Sequence, residues 1–570
     1  MNSFKPMLLT SLKSYDRAQF AKDVTAGIIV AIIALPLSIA LALASGVGPE
    51  AGIFTAIVAG FVISALGGSC VQIAGPTAAF ATIVAGIVAR DGLEGLMTAT
   101  ILAGVFLIIM GFCHFGSLIK FIPYTITTGF TSGIAVTIVI GQLKDFCGIT
   151  YPDGVKPIET MEKLKAFAEN FSTISPDALI VGGVSLAILI VSPLIFKKIP
   201  GSLIAVIAGI LMVQFLPLHV STIGNLYTIS NALPTLHLPV FDMKLIQSAI
   251  PNAFTIAVLA AIESLLSCVV ADGMINSKHR SDTELIAQGA GNIASALFGG
   301  IPATGAIART AANIKNGGRT PVAGMVHSIT LVIVLVVLMP FAGMIPMPTI
   351  AAILFLVAYN MCQWRTFVHL VRTAPKSDII VLFTTFVLTV VFDLVVAIEI
   401  GMVLACLLFI KRMSEETHAD SWVYVDDDSP AVDEHLQKLP LEIRVYEITG
   451  PLFFGAADAI EHIVVKDFTK CLVLRMRSVP TIDSTAMNAL QNLTKLCESK
   501  GITLVFSHVN EQPMKMMKKS GFVEPETNCQ GLFNQIHRKL TKGARSTVWL
   551  LTPHLTDYIF PFSRSLQRYA

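Results

Sequence analysis

Long apolar runs separated by short polar stretches fill the chain from about position 24 to position 410. Glu50 is the only charged residue between Val24 and Ala89. A helix that crosses a bilayer needs about 20 apolar residues, and runs of about this length recur through the first half. They predict seven helical elements, at about 24–45, 51–68, 76–89, 93–113, 117–146, 177–196 and 200–218.

The second half of the chain repeats this pattern. Seven further elements are predicted, at about 247–271, 284–299, 305–315, 320–340, 346–361, 365–391 and 394–410. The 117–146 run contains Pro123 and is expected to form one tilted or broken span. The pattern therefore predicts an α-helical polytopic membrane protein of about fourteen elements in two halves of seven.

The third element of each half is too short to span a bilayer and begins with a break rich in Gly, Pro and small residues. These stretches are Ile73–Ala89 (IAGPTAAFATIVAGIVA) and Ile301–Pro321 (IPATGAIARTAANIKNGGRTP). Broken backbone at membrane depth is tolerated only where it is buried in protein or lines a wet cavity. Interrupted segments in corresponding positions of two halves are typical of the binding site of an inverted-repeat transporter.

A half-helix that begins inside the membrane presents free N–H groups and the positive end of its dipole, which together favour an anion. Arg309 lies one turn after Gly305 in the second half-helix. The backbone amides of Gly305, Ala306 and Ile307 are expected to add hydrogen-bond donors. Thr77 is the matching neutral residue of the first half-helix, and it can at the same time cap its own helix. The alternative for the second stretch is a cytosolic loop with an ordinary arginine.

Glu263 is the only charged residue between Lys244 and Asp272 and falls near the middle of a predicted span. An intramembrane carboxylate is costly and usually faces a cavity, a partner or an ion path. A protonatable glutamate beside an anion site predicts proton coupling, and Ser267, four residues later, shares its helix face. The alternative is a structural carboxyl group that is hydrogen-bonded between helices.

Pro36 interrupts the first span, in the stretch ALPLSIALAL. A proline within a helix frees a carbonyl group and kinks the helix. Leu37 and Leu41 then face either the break or the lipid, and the sequence leaves both orientations open.

Composition agrees with a membrane protein. The chain is 54% hydrophobic and 14% charged, against about 25% charged residues in soluble proteins. The net charge of +2 gives no sign of a nucleic-acid partner. Nine cysteines without a CxxC pair are expected to be small buried hydrophobic side chains, so neither a metal site nor a cofactor is predicted.

Basic residues cluster at alternate ends of the predicted elements. With the N-terminus inside, the positive-inside bias predicts an inner or plasma membrane protein whose N-terminus and C-terminal domain are cytoplasmic. The basic residues on the inner side are Lys197, Lys198, Lys278, Arg280, Arg319, Arg372, Lys376, Lys411 and Arg412.

After Lys411 the composition changes to that of a soluble domain. Strands at 441–449, 470–475 and 502–507 and a helix at Ser484–Ser499 predict a small α/β domain. Asp483-Ser484-Thr485 precedes this helix and is expected to cap it, with Ser484 as the alternative site of phosphorylation or partner contact.

The predicted division of the chain is an N-terminal cytosolic segment, two transmembrane repeats, a linker, and the α/β domain with its tail, at 1–22, 23–218, 219–412, 413–440 and 441–570.

Five stretches resemble the SulP family of anion transporters. They are GVGPEAGIFTAIVAG (46–60), IAGPTAAF (73–80), AIESLLSCVVADGM (261–274), AQGAGNIASALFGGIPATGAIARTAAN (287–313) and TIDSTAMNAL (481–490). The resemblance extends from about residue 10 to 540 and implies a seven-plus-seven inverted repeat with a cytosolic STAS domain. It places the substrate between the starts of the two half-helices, in a cavity also lined by elements one and eight, and it implies a homodimer. The implied lining residues are Thr77, Ala78, Ala79, Gly305, Ala306, Ile307, Arg309, Leu37, Leu41 and Glu263.

The chain departs from some branches of this family. Leu37 and Leu41 stand where animal-type members often have Gln and Phe. Glu263 and Ser267 stand where sodium-coupled bicarbonate members have Asp and Thr, so the chain looks more like the proton-coupled bacterial branch. Ala486 stands where STAS domains of the anti-sigma-antagonist type have Gly.

We therefore predict a secondary transporter, and not an enzyme, that moves sulfate, a related inorganic anion or a dicarboxylate together with protons. The alternatives are a sodium-coupled bicarbonate or uncoupled anion transporter, a nucleobase transporter or channel on the same scaffold, and a membrane-anchored signalling protein whose output is the STAS domain. The expected partners are the small anion, protons, membrane lipid, a second copy of the chain and a cytosolic partner of the STAS domain.

Overall fold

The structure is a computed structural model that describes residues 4–117, 122–152, 157–195, 200–239, 242–392, 394–421, 442–522 and 548–551. The chain divides into two compact units, Met1–Val403 and Leu404–Ala570. Lys197, Lys198, most of the predicted linker 413–440 and the end of the C-terminal tail lie outside the described residues.

Apolar helices make up the first unit. Its first half contains α1 (Met7–Ser11), α2 (Arg17–Ala44), α3 (Pro49–Leu66), the strand β1 (Ala74–Gly75), α4 (Ala81–Phe112), α5 (Tyr124–Cys147), α6 (Thr160–Glu169), α7 (Pro176–Ile195), α8 (Gly201–Phe215) and α9 (Ile223–Leu226). Its second half contains α10 (Met243–Ile275), α11 (Ser281–Leu297), the strand β2 (Thr304–Gly305), α12 (Ile307–Lys315), α13 (Val322–Ala342), α14 (Met347–Cys362), α15 (Trp364–Thr373), α16 (Lys376–Val391) and the start of α17 (Leu394–Glu415). Among the described residues, eight helices are long and apolar enough to cross a membrane. The predicted helical membrane fold is confirmed, and the inverted relation of the two halves stays a prediction.

Glycine and proline set the breaks between these helices. Gly92, inside α4, has φ 70° and ψ −169°, so a short helix ends there and a second one begins, in agreement with the two predicted elements 76–89 and 93–113. The run predicted as one element at 365–391 is instead two helices, α15 and α16. They separate at Ala374, whose extended conformation (φ −75°, ψ 155°) is the one favoured before a proline.

The N-terminal segment packs against the ends of these helices. The Arg280 guanidinium donates to the Lys5 carbonyl at 2.6 Å and to the Thr10 hydroxyl at 3.1 Å. The Tyr15 hydroxyl donates to the buried Asp23 carboxylate at 2.9 Å. Burial raises the pKa of Tyr15 to about 12, so this hydroxyl stays a neutral donor at physiological pH. The predicted lead-in segment is therefore bound to the membrane unit.

The second unit contains a five-stranded sheet with strand order β3-β4-β5-β6-β7. The strands are β3 (His418–Ser421), β4 (Ile443–Thr449), β5 (Cys471–Ser478), β6 (Thr503–Ser507) and β7 (Val548–Leu551), with helices α18 (Asp458–Glu461), α19 (Ser484–Ser499) and α20 (Glu511–Lys519). Only the β3–β4 pair is antiparallel among these strand pairs. The predicted α/β domain is confirmed, and α19 has the predicted bounds.

One strand of this sheet lies where the sequence analysis placed a linker. Residues 418–421 pair with Tyr446–Thr449 of β4, although the linker was expected to run from 413 to 440. A four-residue edge strand such as HADS has no alternating apolar pattern, so only its pairing with β4 reveals it.

Candidate binding site at the two broken helices

The two Gly/Pro-rich stretches meet in the structure. Strand β1 pairs antiparallel with β2, with Ala74 opposite Gly305 and Gly75 opposite Thr304. The Ala306 amide extends the pairing by donating to the Ile73 carbonyl at 2.9 Å. The short pair lies directly before a 3₁₀ turn at Ala78–Phe80 that leads into α4, and before α12. The two half-helices therefore begin side by side.

Arg309 is buried at this junction, with 2% of its surface exposed. Its Nη2 donates to the Pro76 carbonyl in the other half of the chain. Its Nε and Nη1 have no hydrogen-bond partner among the described residues. Gly75 provides the space for this side chain, because a Cβ atom there would lie 2.3 Å from Nη1. Arg309 is therefore a buried residue of α12 that holds a permanent positive charge beside the first half-helix.

Glu263, on α10, reaches the first half-helix. The Thr77 hydroxyl donates to its Oε2 at 2.9 Å, so Thr77 does not use its side chain to cap its own helix. Glu263 is partly exposed and lies close enough to Arg309 for their charges to interact, although no ion pair within 4.0 Å joins them in the described part of the chain. The carboxylate and the guanidinium are thus near each other without a direct contact.

Hydroxyl groups of α10 hold the second half-helix in place. The Ser264 hydroxyl lies 2.7 Å from the Thr304 hydroxyl and accepts from the Gly305 amide at 3.1 Å. Ser267, predicted to work with Glu263, instead donates to the Thr310 hydroxyl at 3.4 Å. Thr310 in turn accepts from the Ile73 amide at 3.0 Å. These contacts belong to the framework of the site.

Two of the three backbone N–H groups predicted as anion donors in the second half-helix already donate to other groups of the protein. The Gly305 amide donates to Ser264 and the Ala306 amide donates to Ile73, so neither is available to an anion as the sequence analysis expected. The strand pair consumes these amides because it forms just before α12 begins. Ile307 is the first helical residue, 42% exposed, and it stays a predicted contact.

The remaining predicted lining residues are apolar. Ala78 and Ala79 are buried in the 3₁₀ turn at the start of the first half-helix, where the first amides of a helix lack an intrahelical acceptor. Leu41 of α2 is buried and Leu37 is half-buried. These four residues stay predicted contacts.

Glu284 was missed as a structural residue of the site. Its Oε2 accepts from the Gly68 and Ser69 amides at 2.8 and 3.2 Å, and its Oε1 accepts from Gln288 at 2.9 Å. The carboxylate is buried and holds the segment between α3 and β1. A signal was present, because an acid at the start of an apolar run is expected to have a specific partner.

Asp23 was missed in the same way, at the other end of α12. Its carboxylate accepts from the Arg319 amide at 2.9 Å and the Thr320 hydroxyl at 2.6 Å. Arg319 also donates its guanidinium to the Ile314 carbonyl, one of the last carbonyls of the half-helix. The exit of α12 is therefore tied to the start of α2.

Ser484 lies apart from this site, in the second unit. It is exposed, as the first residue of α19. Asp483 is the cap, since its Oδ1 accepts from the Ala486 amide at 2.9 Å and its Oδ2 accepts from the Phe454 amide at 2.8 Å. The capping prediction is confirmed, and phosphorylation of Ser484 stays untested.

Comparisons with known proteins agree with this architecture. Residues 20–385 match the sulfate permease family, and residues 438–537 match the STAS domain. The chain is 38% identical over 514 residues to the putative sulfate transporter YvdB of Bacillus subtilis, covering 89% of this chain and 95% of that protein. It is 34% identical over 488 residues to the bicarbonate transporter BicA of Picosynechococcus, covering 82% and 85%.

Two solved structures resemble the fold. The overall structure of SLC26A9 aligns with a TM-score of 0.81 at 19% identity, covering 94% of this chain and 93% of that one. The transmembrane domain of a cyanobacterial BicA aligns with a TM-score of 0.60 at 28% identity, covering 69% of this chain and 98% of that one.

Proposed function

This chain belongs to the sulfate permease family and is a multi-pass membrane transporter, not an enzyme. We propose that it binds its anion between the starts of the two half-helices and carries the anion across the membrane together with a proton. The family membership supports transport of an anion. The site between β1, β2, α4, α10 and α12 supports the more specific parts of the proposal.

Buried Arg309 carries the anion-binding part of the proposal. A buried charge is normally paired, yet its Nε and Nη1 donors have no partner within the part of the chain that the structure describes. An oxyanion can accept both of these N–H groups in the fork geometry that a guanidinium offers. The amides at the start of the first half-helix, Ala78 and Ala79, add donors from the other side.

Glu263 carries the coupling part. An anion held near Arg309 repels a charged carboxylate close by, and it does not repel a protonated one. Protonation and anion binding therefore favour each other, and this coupling is reciprocal by linkage. Thr77 connects Glu263 to the first half-helix, so the proton site and the anion site share one element.

Sulfate or a related inorganic anion is our first candidate substrate, since YvdB, the 38% identical relative, is described as a putative sulfate transporter. Bicarbonate is the second, since BicA is described as a bicarbonate transporter. A dicarboxylate remains a third candidate, because a guanidinium pairs with carboxylate as well as with sulfate.

We further propose that the N-terminus and the STAS domain are cytoplasmic and that the protein works as a homodimer. The orientation rests on the positive-inside bias: Arg280, Arg319, Arg372 and Lys376 all lie at helix ends on the predicted inner side. The homodimer rests on the family resemblance.

The test is uptake by the purified full-length protein in liposomes, with sulfate, bicarbonate, succinate and fumarate under a pH gradient or a sodium gradient. Acid outside should accelerate uptake of one of these anions, and a sodium gradient alone should not. Acceleration by sodium alone would favour the sodium-coupled alternative. No transport of any anion would favour the signalling alternative.

Arg309→Ala tests the site itself. We expect it to abolish or strongly weaken anion binding, because one charged hydrogen bond contributes about 1.5–3 kcal/mol. Lys315→Ala removes an exposed positive charge from the same helix and is the matched control, expected to bind normally. Unchanged apparent affinity in purified Arg309→Ala would refute the site.

A further inference from the structure

Helix α15 carries a basic stripe on its exposed face. Arg365, His369 and Arg372 are spaced i, i+4 and i+7, which places them on one side of a helix, and all three are exposed. Lys376, also exposed, follows at the start of α16. No acidic residue occurs between Glu284 and Asp378 in the sequence. The stripe itself therefore contains two arginines and a histidine and no acidic residue.

The opposite face of α15 is packed against the membrane unit. The Phe367 ring contacts the rings of Phe383 and Phe386 on α16, with centroids 5.6 and 5.5 Å apart. Phe367, Leu370 and Val371 are partly buried. The apolar face is thus occupied by protein, and the cationic face is the one turned outward.

The sequence around α15 is typical of a segment at the edge of a bilayer. Helix α15 joins two apolar helices, α14 and α16, and the chain turns at Gln363 (φ 44°) and Ala374 to enter and leave it. Exposed Trp364 is its first residue and exposed Tyr359 lies near the end of α14, with the Trp364 Nε1 donating to the Tyr359 hydroxyl at 3.3 Å. Such amphipathic aromatic side chains prefer the headgroup level. Arginine also avoids hydrocarbon.

We propose that Arg365, His369 and Arg372 form a docking stripe for the phosphate headgroups of anionic phospholipids. The chemistry is charge complementarity at a fixed depth: a guanidinium pairs bidentately with a phosphate group, and basic clusters beside a membrane helix bind anionic lipid. Arg365 is held along the helix surface by the Trp364 ring, 5.7 Å from its guanidinium carbon to the ring centroid. The stripe lies outside the proposed anion site, so lipid binding by the stripe does not depend on anion binding at that site.

The test compares lipid binding to the full-length protein and to Arg365→Gln/Arg372→Gln, in neutral detergent supplemented with phosphatidylglycerol or phosphatidylcholine. Bound lipid is counted by native mass spectrometry. Each basic residue near an anionic surface contributes about fivefold, so the double variant should lose about 25-fold in phosphatidylglycerol affinity. The control, Lys165→Gln/Lys244→Gln, removes two exposed positive charges elsewhere and should bind as the wild type does.

Two results would overturn the proposal. Wild-type affinity for phosphatidylglycerol in the arginine double variant would show that the stripe does not bind lipid. Equal displacement of the lipid by inorganic phosphate at matched concentration would show a site for free phosphate. All the substituted residues are exposed, so the variants should fold, and size-exclusion elution checks this.

Discussion

Arg309 owes its position to the absence of a side chain at Gly75. A Cβ atom at Gly75 would lie 2.3 Å from the Arg309 Nη1 and 3.5 Å from the Ala56 Cα. Contacts below about 3 Å do not occur for real Cβ atoms, so either the guanidinium or the β1–β2 pair must move. At the scale of one residue, the proposed affinity for the anion therefore depends on the absence of a Cβ atom at position 75.

Gly75→Ala should therefore weaken anion binding about tenfold or more, because the displaced guanidinium loses a charged hydrogen bond. Equilibrium binding to the purified variant measures this. Gly86→Ala is the control, since a Cβ atom at Gly86, on α4, meets no atom within 4 Å. Normal affinity in Gly75→Ala would mean that Arg309 does not contact the anion from its present position.

Glu263→Gln should separate binding from coupling. The amide is neutral, as the protonated carboxyl is, and its oxygen can still accept from the Thr77 hydroxyl. We expect anion affinity to be retained or increased, and uptake driven by the pH gradient to be lost. Glu94→Gln, which neutralises an exposed acid on α4, is the control for both measurements. If Glu263→Gln keeps full pH-driven accumulation, Glu263 is a structural carboxyl and the coupling proposal fails.

At the scale of elements, two buried acids stabilise the segments that lie beside the half-helices. Glu284 of α11 binds the segment between α3 and β1, and Asp23 of α2 binds the segment after α12. Each acid accepts at least one backbone N–H group from a stretch that belongs to neither a helix nor a strand. Such groups would otherwise be buried without a partner, which is costly in a membrane.

Glu284→Ala should destabilise the protein, because the Gly68 and Ser69 amides lose their acceptor at a cost of about 1–3 kcal/mol each. Thermal unfolding of the purified variant checks the prediction. Glu284→Gln, which keeps one acceptor oxygen, should lower the unfolding midpoint less than Glu284→Ala does. Equal midpoints for Glu284→Ala and the wild type would show that water replaces the carboxylate.

At the scale of the whole molecule, the end of the membrane unit and the start of the C-terminal unit are continuous in sequence. Helix α17 ends at Glu415, and β3 begins three residues later at His418. Since β3 pairs with β4, the sheet already begins within the stretch that the sequence analysis assigned to a linker.

Two truncations should therefore behave differently. A chain that ends at Glu416 keeps α17 and removes the whole sheet, and we expect it to be monodisperse. A chain that ends at residue 440 keeps β3 without β4, and an unpaired strand edge promotes association. Size-exclusion chromatography of both chains in the same detergent makes the comparison. Identical profiles would show that β3 does not form without its partner.

Local patterns in the sequence determined the apolar helices, the Gly/Pro breaks at the third element of each half, and the bounds of α19 with its Asp483 cap. Each of these features depends on residues that are only a few positions apart, as the helical period of apolar residues and the hydrogen bond of a capping side chain do. The same reasoning identified Arg309 and Glu263, because a lone charge in an apolar run is visible without any partner.

Only the tertiary structure decided how these residues combine. Thr77 and Glu263 are 186 positions apart, and the β1–β2 pair that occupies the Gly305 and Ala306 amides joins two halves of the chain. Ser267 shares a helix face with Glu263 and still contacts Thr310. Helical period specifies the face on which a side chain lies, whereas the packing of distant elements decides what that face meets, and this information is not contained in any local pattern.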